Sequence, residues 1–96
     1  MRYLPLAGAD LEAIDAYLSD FYLGTAGRFF ADLKEKLLLL QETPEMGAVY
    51  RQYRRLIVGQ YLVFYVVNQE AACVDIYRII RGTSDIGRQL GADPHP

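Results

Sequence analysis

Tryptophan is absent, and cysteine and histidine occur once each, as Cys73 and His95, in a chain of 96 residues. A single thiol excludes an internal disulfide framework, and one cysteine with one distant histidine offers neither a metal-binding spacing nor a thiol–imidazole nucleophile. Cys73 lies inside an apolar run and reads as a small core residue. Long apolar runs are missing too. The longest, Tyr61 to Val67, is strand-sized and far short of a membrane span. With no apolar signal segment at the N-terminus, the expected setting is the reducing cytoplasm, without membrane association. Repeats, low-complexity tracts and linkers are also lacking, which leaves one domain over residues 1–90, large enough for a core without staples. The tail, GADPHP over 91–96, is expected to be disordered.

Net charge is only −2, which argues against a nucleic-acid binder driven by bulk electrostatics. Its distribution is uneven. Residues 1–50 hold 4 basic and 8 acidic side chains, whereas 51–96 hold 6 basic and 4 acidic. All six basic residues of the second half are arginines: Arg51, Arg54, Arg55, Arg78, Arg81 and Arg88. Their planar donor forks match carboxylates and phosphates, so recognition is expected in this half.

Periodicity separates the two halves further. Met1 to Leu4 is expected as a short strand, and Pro5 pre-sets the backbone for a helix. Leu11, Ile14, Leu18 and Phe21 recur at helical spacing with Asp10, Glu12, Asp15 and Asp20 largely between them. Gly24 ends that helix and Thr25 is placed to cap the next. Its buried stripe is expected to be Phe30, Leu33, Leu37 and Leu40, and Thr43-Pro44 closes it. So short a connection implies an antiparallel helical hairpin. Strands follow over Tyr53–Val58, Tyr61–Val67 and Ala72–Ile80, the first two joined by Gly59-Gln60, with glycine where a type II′ turn needs it. Asp85–Leu90 is expected to form one or two helical turns. On the middle strand Leu62, Phe64 and Val66 point one way and Tyr61, Val63, Tyr65 and Val67 the other. Both sides are apolar, so this strand should be central and covered twice. The helices cover one side; something else must cover the other, at least in part.

Pro5, Ala7, Asp10, Leu11 and Ile14 at a helix start, Pro44 to Gly47 after the second helix, Y-R-x-L-x-V-G-x-Y-L-V-F-Y over Tyr53–Tyr65, and the strand end Ile76–Ile79 form an ordered set. That set resembles the RelE/ParE toxins of bacterial type II toxin–antitoxin modules. The resemblance implies an α+β fold, a short strand and an antiparallel helical hairpin packed on one face of an antiparallel sheet. It also implies a cognate antitoxin as partner, on a chromosome or in plasmid stabilization, and an antitoxin segment bound on or beside the concave sheet face. No cofactor, metal or catalytic residue is expected, nor direct DNA binding without the antitoxin.

The two branches of the family differ in residues this chain can be asked for. The RelE-like branch, ribosome-dependent mRNA endoribonucleases, carries alternating basic residues on the first hairpin strand, an arginine after the tyrosine that leads the second, and a terminal tyrosine. Here Arg54 is followed at the alternate position by Leu56, Leu62 follows Tyr61, and no tyrosine lies beyond Tyr77. The chain therefore resembles the ParE-like branch, whose best-known members arrest growth by binding DNA gyrase. A degenerate endoribonuclease and a non-toxic protein acting only in an antitoxin complex are the alternatives.

Five residues are candidates for target or antitoxin binding: Arg54, Arg55, Tyr77, Arg78 and Arg81. Arg54 and Arg55 have opposite strand parity, so at least one faces away from the helices; each is weighed against a surface ion pair with the acidic helices. Strict alternation puts Arg78 on a face with Val74, Ile76 and Ile80, and Arg81 on a face with Asp75 and Tyr77. Arg81, leaving the sheet beside Gly82, is the favoured single residue, weighed against pairing with Asp75 or Asp85.

Overall fold

A computed structural model describes residues 1–21, 24–82, 86 and 90. Strand β1 (Arg2–Tyr3) leads into helix α1 (Pro5–Phe21), then α2 (Thr25–Glu42), a single 3-10 turn (Pro44–Met46), and strands β2 (Ala48–Tyr50), β3 (Tyr53–Val58), β4 (Tyr61–Asn68) and β5 (Cys73–Arg81). The sheet order is β1-β5-β4-β3-β2. All neighbours are antiparallel except β1, which runs parallel to β5 through Arg2–Asp75 and Tyr3–Ile76. The expected α+β architecture is present, with the helix pair on one face of a sheet that β1 makes mixed.

The helices form where the apolar spacing puts them, with three local differences. Ala7, with no exposed surface, extends the α1 stripe a turn earlier than Leu11; the Phe21 side chain lies outside the described residues. In α2 the buried phenylalanine is Phe29, not Phe30, because its ring meets Tyr61 edge-on at 5.1 Å, and the stripe runs Phe29, Leu33, Leu37, Leu40. Thr25 does not cap α2. Gly24 occupies the cap position at φ 84°, a left-handed conformation natural to glycine, and Thr25 becomes the first helical residue.

The main core lies between the layers, where Leu33, Leu37 and Leu40 meet Leu56, Val58, Val63, Tyr65 and Ile76. Each such side chain contributes about 1.5–3 kcal/mol on burial, so this layer pairing holds the domain. The other sheet face carries a second, smaller cluster of Tyr53, Phe64, Ile80 and Leu90, flanked by Tyr50, Leu62, Tyr77 and Ile86. Here the expectation of an outside cover needs correction: Phe64 is completely buried by the chain's own tyrosines and by Ile86 and Leu90. Only the margins of that face stay open, with Ile57 63% exposed and Val66 36% exposed. Of the expected helical turns at Asp85–Leu90, Ile86 is helical and the Leu90 N–H donates to its carbonyl at 3.0 Å; the remaining residues there, and the tail 91–96, lie outside the described residues.

Strand β1 is pinned by charge. Arg2 meets Asp75 through two bonds of 2.8 and 3.0 Å, and Asn68 donates to the same carboxylate at 3.2 Å. The Arg2 bond, with help from Asn68, holds the Asp75 carboxyl down at about 2, against an ordinary 3.8. A carboxyl depressed by folding stabilises the fold fully above the ordinary value, and that contribution disappears as pH falls through about 2. Acid unfolding followed by circular dichroism should therefore show wild type losing stability between pH 4 and 2 faster than Asp75→Asn, the two curves converging at the acid end. Parallel curves would mean that the pair carries no folding linkage.

Candidate functional site

The five candidate residues divide into two that are built into the scaffold and three that reach a surface. Arg78 turns to α1, where its guanidinium forms a fork with Asp10 at 2.8 and 2.9 Å, both side chains being under one-fifth exposed. The same carboxylate accepts the Ile79 N–H at 2.9 Å, closing β5's edge beyond the short β1. Arg54 donates to the carbonyls of Glu45 and Gly47 at 3.2 and 2.8 Å, tying β3 to the 3-10 turn. Neither acidic-helix ion pairing nor an open surface describes it.

A register shift explains why alternation misplaced the strand-five side chains. Phe64 pairs with Arg78 but Tyr65 pairs with Ile76, leaving Tyr77 as an extra residue on β5. Ile76 and Ile79 consequently both join the helix-side core, while Ile80 belongs to the opposite cluster. Arg81 comes opposite Tyr61, on the helix side, and does not share a face with Tyr77. There it donates to the Tyr17 hydroxyl at 3.1 Å and to Gln60 Oε1 at 3.2 Å, with its charge 5.6 Å from the Tyr17 ring centre. It stands in a cleft of about 580 Å³ that also holds Arg28, Phe29 and Asp32. Within the described residues it is a strut between α1 and the β3–β4 turn.

Tyr77 and Arg55 belong to the sheet face away from the helices. Tyr77 stacks on Tyr53, centroids 4.8 Å apart and planes 17° from parallel, and Tyr53 meets Phe64 edge-on. Phe64 in turn touches Tyr50 at 5.4 Å. Over Tyr50 lie two guanidiniums, Arg51 at 5.5 Å and Arg55 at 5.7 Å from the ring centre. Both arginines are exposed, and among the described residues neither has a carboxylate partner.

Tyr50 and Arg51 were not singled out from the sequence, because strand β2 was not expected. Its three residues are too few for a periodic signal, and its turn to β3 is Arg51-Gln52 with no glycine or asparagine. The usable signal was the repeat Y-R-x-Y-R-R over residues 50–55, which places aromatic and basic residues on both sides of a two-residue turn.

Comparison with known proteins follows the same outline. The family described as ParE toxin of type II toxin-antitoxin system, parDE, matches residues 1–86. No curated protein matches the sequence. Among solved structures the chain is similar to one titled "Chromosomal ParDE TA system from P. aeruginosa", with a TM-score of 0.67 and 23% identity, over 83% of this chain and 91% of that one. That likeness concerns the fold. The family match runs from β1 through Ile86, across both layers and through all of the arginines placed above, and by it this chain belongs to the ParE toxins of type II toxin–antitoxin systems.

Proposed function

We propose that the chain arrests bacterial growth by binding a cellular target, DNA gyrase, and that a cognate antitoxin neutralises it. The observation that carries binding over RNA cleavage is the fate of two arginines. Arg54, the residue that matches the endoribonuclease branch's basic first strand, gives its Nη1 to the carbonyls of Glu45 and Gly47, and Arg78 gives Nε and Nη2 to Asp10. Such bonds draw both guanidiniums toward the fold and away from a substrate, and Arg78 is under one-fifth exposed. Arg55, Tyr77 and Arg81 remain the expected contact residues.

The antitoxin's seat, in this reading, is a groove that the β1 segment and the two helices line together. Tyr3, Leu11, Phe30, Leu37 and Leu38 line an almost wholly apolar groove of about 350 Å³. Of its lining, Tyr3 is 46% and Leu38 55% exposed, an open apolar patch of the kind that marks an interaction site. An amphipathic segment that folds on binding would cover it.

Expression in bacteria with and without the product of a small adjoining reading frame tests both halves. Arrest by the chain alone, relief on co-expression and co-purification of the two products are expected. Leu38→Glu, at an exposed position, should abolish co-purification and leave arrest intact. No arrest by the wild type, or capture unaffected by Leu38→Glu, would contradict the reading.

A further inference from the structure

Arg51 has φ 55° in the two-residue turn between β2 and β3. That conformation is natural to glycine and, apart from asparagine and aspartate, unfavourable to residues with a Cβ. Backbone strain kept at a residue whose side chain glycine would lack directs attention to what that side chain does. Arg51 extends over Tyr50 beside Arg55, so one ring carries two exposed cations that have no carboxylate partner among the described residues. Two residues along β3, on the same face as Arg55, is Ile57, 63% exposed.

We infer that Tyr50, Arg51 and Arg55, with Ile57 beside them, bind an acidic segment of the protein this toxin inhibits. Two guanidiniums held on a ring present their forks without the entropy of a free side chain, which suits a carboxylate. Same-face neighbours on a strand are about 7 Å apart, so an extended segment with an acid at one position and an apolar residue two further on satisfies Arg55 and Ile57 together. Nucleic acid fits less well: two cations neutralise two phosphates, and the Tyr53–Tyr77 stack and Phe64 already face each other and the chain's own Leu90.

The patch lies on the sheet face away from the helices that line the apolar groove, and the two differ in chemistry. A greasy groove suits a permanent companion; a small charged patch with an aromatic base suits a transient, charge-steered encounter. The domain measures only 40 × 30 × 21 Å, so an antitoxin in the groove obstructs a partner the size of gyrase by bulk. This inference rests on the reading that the toxin acts by binding a protein target.

The test uses full-length wild type, Arg51→Gly and Arg55→Ala. Arg51→Gly places glycine where the backbone favours it, so its melting temperature should equal or exceed that of wild type. Both variants should lose growth arrest by tenfold or more in the expression level required, while still co-purifying with the antitoxin. If the wild type inhibits gyrase, raising salt from 0.1 to 0.5 M should weaken it, and the variants should inhibit tenfold less. If gyrase is untouched yet both variants lose arrest, the patch stands and the target is another protein. Retained arrest in Arg51→Gly and Arg55→Ala overturns the inference. So does binding of a 20-nucleotide single-stranded DNA or RNA by wild type that the variants lose, since the ligand would then be nucleic acid.

Discussion

Replacing Asp10 with alanine should lower unfolding free energy by about 3 kcal/mol, the typical loss when one member of a buried ion pair is removed, and the melting temperature by roughly 15 °C for a domain of this size. Asp10 makes three bonds at once: two to the Arg78 guanidinium and one to the Ile79 N–H. They join α1 to β5 where β1 no longer covers the strand edge. The alanine variant strips Arg78 of its carboxylate inside a site where it is only 17% exposed. Asp10→Asn keeps an acceptor for Ile79 and should lose less. A double replacement, Asp10→Leu with Arg78→Met, removes both charges and should recover much of the loss. Urea titration decides: a loss below about 1 kcal/mol in Asp10→Ala would make the pair ornamental, as exposed pairs are.

Gly47→Ala should cost about 3 kcal/mol, at the upper end for overpacking a tight site, although Gly47 has an unremarkable φ of −78°. Space is the reason. A Cβ there would lie 2.6 Å from the Tyr65 hydroxyl and 2.7 Å from the Arg55 carbonyl. Neither neighbour can move freely. Tyr65 is fully buried, donates to the Pro44 carbonyl at 2.7 Å and accepts the Gly47 N–H at 2.9 Å, and burial pushes its hydroxyl pKa up, keeping it protonated as a donor. Tyr65→Phe should cost about 2 kcal/mol through the orphaned Pro44 and Gly47 groups. Combining it with Gly47→Ala should give less than the sum, because one clash is gone, but not recovery, because the β3 carbonyl remains. Full additivity in denaturant titrations would show that the two residues do not share this contact.

The Gly47 site explains how much was legible in the chain and how much was not. The P-x-x-G sequence was recognisable as part of a family pattern, yet the reason for its glycine lies 18 residues away, in a hydroxyl that strand periodicity marks only as core. Strands β3 and β4 were readable because Gly59-Gln60 fixes their turn and both carry dense branched and aromatic residues. Strand β2 was not, since an arginine stands where turn chemistry would place glycine. The arginines were identifiable as a group, but their division was hidden. One inserted residue at Tyr77 reverses the parity of everything before it on β5, and alternation cannot anticipate a bulge. Arg81 consequently came to face Tyr17, while Arg78, opposite Phe64, reaches Asp10 on α1. The surplus of acid in the first half includes Asp10, a carboxylate that ties the two halves together.

The sheet's second face carries the same lesson for function. Apolar character on both sides of β4 was a sound sign of double cover, but the cover is internal, from Tyr50, Tyr53, Tyr77, Ile86 and Leu90. What remains for partners is smaller and more specific: an apolar groove lined by β1 and the helices, and a charged aromatic patch across the sheet.

The proposal that this toxin works by occupying its target rather than by chemistry is tested most directly by titrating the purified protein into DNA gyrase with relaxed plasmid, alongside a translation reaction on a defined message. The account predicts supercoiling that falls in proportion to bound toxin and reaches its floor near a stoichiometric ratio, with the message intact. Full supercoiling at saturating toxin, together with cleavage of the translated message, would contradict it.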